Sequence, residues 1–141
     1  MTIPSAPLPT ISRLFGAFIV KGPGTDVWSG ANWDVRLYRR GAAAFAAGLE
    51  VAGGRIGVQR VRLWVPDYVC EDLLELLPGD LTESCFYPVF EDLSPDWSWI
   101  KAHHEPFDGL EVFVLVHYFG FPNTAGKASA FCRERGLVLF E

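Results

Sequence analysis

The chain has 141 residues, half of them hydrophobic, with 12 Lys and Arg against 17 Asp and Glu for a net charge of −5. This is the length of one ordinary domain with enough apolar material for a core, and its scattered basic residues provide no clustered face for nucleic acid phosphates. No apolar run approaches the roughly 18 residues that cross a bilayer, and the opening MTIPSAPLPTISRLF lacks the basic head and apolar body of a secretory leader, so a soluble, cytoplasmic protein is expected.

Residues 1–36, with Pro4, Pro7 and Pro9 followed by KGPGTDVWSGANW, read as an irregular arm, and residues 37–141 as one α/β unit. The alanine-rich GAAAFAAGL, Gly41–Leu49, has Phe45 and Leu49 four apart and predicts a short helix stopped by Gly53 and Gly54. VRLWV, Val61–Val65, predicts a strand ended by Pro66. Val69–Leu77 predicts an amphipathic helix closed by Pro78 and Gly79. SCFYPVF, Ser84–Phe90, is a second strand whose Pro88 suits an edge or a late strand position. Ser94 then caps a helix with Pro95 at its first position.

VFVLV, Val112–Val116, is apolar on both faces, the pattern of a strand covered by helices on two sides. After the FGFPN turn, Thr124–Arg135 places Ala128, Phe131 and Cys132 on one helical face and ends at Gly136; Leu137–Phe140 is a fourth strand. The alternation predicts a three-layer αβα fold with a mainly parallel sheet. Ligands of such sheets sit at the carboxyl ends of the strands, where Asp67, Tyr68, His117 and Glu141 fall.

Neither a GxGxxG nor a GxxxxGK[ST] fingerprint is present. Cys70, Cys85 and Cys132 are far apart and read as buried free thiols, Cys70 in the core of its helix. A Cys70–His117 nucleophile pair is conceivable, but nothing in the sequence sets their separation. His103 and His104 are adjacent, fit no usual zinc spacing and read as solvated loop, so no metal site is expected. His117 either bonds a neighbouring loop or lines a pocket.

The remaining pattern is a constellation. A small-residue helix start (Arg40, Gly41, Ala42), an aromatic after one strand (Tyr68), a histidine after another (His117) and an acid after a third (Glu141) converge on one crevice. Helix amides bind phosphate, an aromatic stacks on a flat ring, and a carboxylate holds a ring nitrogen protonated. Those are the needs of a pyridoxal phosphate site.

WVPDYVCEDLLELL, YPVFEDLSPDWSWI and VFVLVHYFGFPNTAGKASAFCRERGLVLFE together resemble blocks of the DegT/StrS-type sugar aminotransferases, over roughly Leu37 to Glu141. The resemblance implies part of the large domain of a fold type I pyridoxal phosphate enzyme, and amino transfer from an amino acid such as glutamate to a keto sugar in a homodimeric parent. It implies cofactor contacts at Gly41, Ala42, Tyr68, His117 and Glu141, with the side-chain phosphate donor missing at Ala42. It also places a ring-nitrogen aspartate after Glu141 and a Schiff-base lysine further on. Lys21, Lys101 and Lys127 do not match that lysine, so the chain alone is expected to be inert. The alternative is a non-catalytic α/β interaction domain, or pseudoenzyme, derived from that fold.

Overall fold

A computed structural model describes residues 36–56, 60–121 and 124–141. The chain separates into two compact units, Met1–Leu37 and Tyr38–Glu141, and the architecture below is that of the second. Nearly all of the proline-rich arm with Lys21, and Pro122 and Asn123 of the FGFPN turn, lie outside the described residues.

The elements are α1 (Gly41–Ile56), β1 (Val61–Pro66), a 3-10 turn (Glu71–Leu73), β2 (Thr82–Tyr87), α2 (Trp97–His103), β3 (Leu110–Val114), a second 3-10 turn (Tyr118–Gly120), α3 (Ala125–Arg135) and β4 (Val138–Phe140). The strands form one sheet in the order β2-β1-β3-β4, parallel at every pair. The expected α/β class and parallel sheet are therefore observed. The sheet grows outward in both directions from β1 and β3. Right-handed crossovers running in opposite directions lie on opposite faces, so the sheet is covered on both.

Side chains alternate across each strand and define the two cores. Leu63, Val65, Leu110, Val112 and Val114 meet Phe45 and Leu49 of α1, with Val69, Leu73, Leu74 and Leu77 packed against them. Trp64, Phe113 and Leu115 meet Trp97 and Ile100 of α2 and Ala128, Phe131 and Cys132 of α3. All five residues of β3 are buried, as its two-sided apolar pattern requires. On the α2 and α3 face, Tyr87 stacks on Phe113 at 4.9 Å, and its hydroxyl donates to the Val114 carbonyl at 2.7 Å.

Several local expectations give way to packing. α1 continues past Leu49 through Gly53 and Gly54 to Ile56. A Cβ on Gly53 would reach only ordinary contact with Leu110, at 3.9 Å, and burial of the helix against β3 outweighs the roughly 1 kcal/mol that a helical glycine costs. Val69–Leu77 is not an α-helix. Its bonds run Leu73 N to Cys70 O (3.1 Å), Leu74 N to Glu71 O (3.0 Å) and Leu77 N to Leu74 O (3.1 Å), each spanning three residues. Its apolar side chains Val69, Leu73, Leu74 and Leu77 reach the core through these tighter turns without an α-helix. Cys70 is consequently exposed, Cys85 partly buried, and Cys132 alone of the three fully buried.

The cap of α2 is Asp96, whose Oδ1 accepts from Ser98 N and Trp99 N, both at 3.0 Å. Ser94 does not serve, because Pro95 is bridged to Val89 and the helix begins only at Trp97; its hydroxyl donates instead to Asp92 at 2.6 Å. The third strand begins at Leu110 and ends at Val114, before the expected Val116. α3 ends as expected, with Gly136 in the left-handed region at φ 77° and its amide bonded back to Cys132.

His104 is not a loop residue in water. Its side chain is 6% exposed, and Nε2 lies 3.4 Å from Glu111 Oε2. The ring stacks on Trp64 and meets Phe131 edge-on. It turns inward because Glu111, on the central strand, offers the only polar ground on that side among the described core residues.

Candidate functional site

α1 starts with Arg40 as the first carbonyl acceptor, bonded to Ala44 N at 3.3 Å. The amides of Gly41, Ala42 and Ala43 thus have no partner inside the helix. A guanidinium has no acceptor with which to cap them. Arg40 instead pairs with Glu75 at 2.9 Å, tying the helix start to the segment after β1. A Cβ on Gly41 would touch nothing within 4 Å, so the helix end opens onto free space.

That space is a cleft of about 420 Å³ at the carboxyl ends of β3 and β4, reached by Gly41, Phe45, Leu73, Val116, His117 and Glu141. His117 Nε2 is 3.3 Å from Glu141 Oε1. Both are partly exposed, so the pair adds little to stability; its role is orientation. The cleft can hold a small anion-bearing ligand: amides at one end, an apolar floor, and an oriented imidazole and carboxylate at the other.

Of the five predicted contacts, the structure brings Gly41, His117 and Glu141 to this cleft and leaves two out. Ala42 is 5% exposed and its side chain does not line the cleft; the contact expected of it is through its backbone amide, at the helix start. Tyr68 is 61% exposed and does not line the cleft. The hydroxyl of Tyr118 donates to the Tyr68 carbonyl, and their rings lie 5.7 Å apart. The two tyrosines join the loops after β1 and β3, where the strand order reverses and a ligand crevice is expected. Burial, then the charge of Asp67, pushes the Tyr118 hydroxyl up to about 12. Asp67 is a clamp, its Oδ1 accepting Val89 N at 3.2 Å.

The Cys70–His117 pair is not formed: Cys70 lies exposed at the head of the first 3-10 turn and is absent from the walls of the His117 cleft. Lys101 and Lys127 also lie away from that cleft, with Lys127 Nζ over the Trp97 ring at 5.4 Å on the opposite face of the sheet. A larger cleft, about 470 Å³, sits at the amino ends of β1 and β2 between α1 and Pro78–Thr82. Among the described residues, Glu50 and Thr82 are its only polar side chains. With no convergent polar groups, its size does not make it the chemical site.

The sequence reading missed a buried polar cluster on the α2 and α3 face. Arg62 is registered with Glu83 of β2 and Glu111 of β3. Its Nε reaches Glu83 at 3.0 Å, and its Nη1 lies 3.5 Å from Glu111 and 3.0 Å from the Glu105 carbonyl. Glu111 Oε1 also accepts the Trp64 indole N–H at 3.2 Å. The signal was present: VRLWV, TESCF and LEVFV each carry a charge at their second residue.

Among the described residues no group of three or more His, Cys, Asp or Glu could hold a metal ion, and no helix is long and apolar enough to cross a membrane. Comparison of the chain with protein-family models, with curated proteins and with solved structures gave no match. The DegT/StrS resemblance accordingly stands on the residue blocks alone.

Proposed function

We propose that the cleft between the start of α1, His117 and Glu141 is the cofactor-facing wall of a pyridoxal phosphate site, in the N-terminal part of a cytoplasmic, homodimeric aminotransferase of the DegT/StrS type. The parent enzyme would move an amino group from an amino acid such as glutamate to a keto sugar. The single observation that supports this most is the meeting of a helix start, an imidazole and a carboxylate around one cleft at the carboxyl ends of parallel strands.

The residues present fit the phosphate-bearing end of that cofactor. The Gly41 and Ala42 amides would hold the phosphate without a side-chain donor, and the open space beside Gly41 admits it. His117, oriented by Glu141, would bound the ring. Bound pyridoxal phosphate supplies an electron sink to an amino acid; these residues bind and orient, and none of the described lysines reaches the cleft to carry the amine chemistry. The outward placement of Tyr68 and the buried methyl of Ala42 favour the second reading, a non-catalytic α/β domain derived from the same fold.

Pyridoxine phosphate carries the ring and the phosphate but cannot condense with surface lysines. Equilibrium dialysis should show it binding, with inorganic phosphate competing and pyridoxine bound far more weakly. His117→Ala should weaken it on the order of tenfold. Equal binding of pyridoxine, or none of either, would remove the cofactor reading. The coding sequence after Glu141 separates the two functions: an in-frame aspartate followed some tens of residues later by a lysine supports the enzyme, and their absence supports the non-catalytic domain.

A further inference from the structure

A separate cleft of about 270 Å³ lies between the turn after β2 and the turn after β3 and shares no residue with the His117 cleft. Asp92 and Leu93 form one wall; Tyr118, Phe119 and Phe121 form the other. Both walls are held from within. On the first, Val89 bridges Pro95, Phe90 N donates to Ser94 O at 2.9 Å, and Leu93 N donates to Phe90 O at 2.8 Å. On the second, Gly120 N donates to His117 O at 3.0 Å and Phe121 N to Tyr118 O at 3.1 Å. The Tyr118 hydroxyl anchors this wall to Tyr68. Walls ordered in advance lower the entropic cost of binding.

Two independent features point to a ligand. Leu93 (φ 62°) and Phe119 (φ 55°) are the non-glycine residues with positive φ among the described residues, and both line this cleft. Left-handed backbone carrying a bulky side chain is strained and persists where surrounding structure imposes it, commonly at ligand clamps. Phe119 and Phe121 are also 85% and 69% exposed, so two rings stand in water beside a carboxylate. Asp92 Oδ1 accepts the Ser94 hydroxyl at 2.6 Å and amide at 3.0 Å. These bonds, the hydroxyl's first, hold the carboxyl below its ordinary range; like any exposed carboxylate it is charged at neutral pH.

An aromatic face and a carboxylate both attract positive charge, and the carboxylate repels anions. We propose that this cleft binds a small alkylammonium cation, its methyl or methylene groups against Phe119, Phe121 and Tyr118 and its charge countered by Asp92. The chemistry is that of a quaternary or alkylated amine head group with a short tail. The proposal is independent of the pyridoxal phosphate reading, because the clefts and their residues differ.

The test is a titration of the chain with choline, followed through its aromatic proton resonances, against dimethylbutanol, the uncharged carbon isostere. Choline should bind saturably, and the isostere roughly tenfold more weakly. Phe119→Leu keeps an apolar side chain without a ring, at a backbone angle that Leu93 shows leucine can adopt. It and Asp92→Asn should each weaken choline about fivefold to tenfold while leaving circular dichroism and melting temperature unchanged. Equal binding of the isostere, or an Asp92→Asn variant that binds as tightly as the parent, overturns the cation assignment. No saturation at high-millimolar choline overturns the site. Concentration-dependent self-association that Phe119→Leu abolishes and choline does not compete with would make the cleft a contact between copies, and also overturns it.

Discussion

At the scale of single residues, Glu111 shows how a central strand carries a charge. It is 8% exposed and is held by the Trp64 indole and by Arg62, with His104 Nε2 3.4 Å away. A carboxylate buried without such partners would be strongly unfavourable. Glu111→Ala strands the indole and part of the guanidinium, and urea unfolding should show a loss of about 2–4 kcal/mol. Arg62 keeps Glu83, so the loss stays short of a wholly abandoned charge. Phe119 predicts the opposite sign. Its ring is exposed and its φ is 55°, so Phe119→Gly relieves strain without emptying a core and should raise stability by about 0.5–1 kcal/mol in the same experiment. Residue chemistry of this kind is partly legible in the sequence. The three charges at matching strand positions could have been read as a cross-strand ladder. The strain at Phe119 could not, because no propensity places a phenylalanine in the left-handed region.

At the scale of elements, α1 is the piece that builds the His117 cleft, and its glycines have different meanings. A Cβ at Gly54 meets nothing within 4 Å, whereas one at Gly48 would stand 2.9 Å from Phe140 Cε2. Phe140 is braced edge-on by Phe45 at 5.7 Å. Gly54→Ala should therefore gain about 0.5–1 kcal/mol from helix propensity, while Gly48→Ala forfeits that gain by pushing α1 off β4. Thermal unfolding of the two variants checks the difference, and equal gains would mean that Phe140 swings away freely. The existence and order of the strands, α3 and its glycine cap were readable from periodicity and punctuation, although β2 begins at Thr82 and ends at Tyr87 where Ser84–Phe90 is expected, so that Pro88 falls outside it. The failures lie where tertiary contact overrides local preference: glycines inside α1, and a nine-residue apolar segment that reaches the core through 3-10 turns.

At the scale of the whole molecule, four ionisable groups inside the fold oppose alkaline pH: Cys132, Tyr87, Tyr118 and Cys85, whose thiol is pushed up by burial and then by the Glu83 charge. Burial, then the Glu141 charge, pushes the Cys132 thiol up from 9.0 to about 11. Burial foremost raises Tyr87, and raises Tyr118 to about 12. A folded pKa above the unfolded one means stability that is complete below the unfolded value and lost as pH rises through the folded one. Stability should thus hold to about pH 9 and fall through about 11 for the thiol, with the Tyr118 loss completed near 12. Cys132→Ala should flatten the first part of that fall in a melting-temperature series against pH. The sequence by itself determined the α/β alternation, the doubly covered central strand and the residues at the strand ends, because period-two and helical apolar patterns are local properties of the chain. Only the tertiary structure decided that Gly41, His117 and Glu141 share a cleft while the side chains of Tyr68 and Ala42 do not line it, that His104 is buried beside Glu111, and that Asp92 and Phe119 line one cleft. Which side chains meet depends on strand order and loop path, and packing sets both across separations that no local pattern spans.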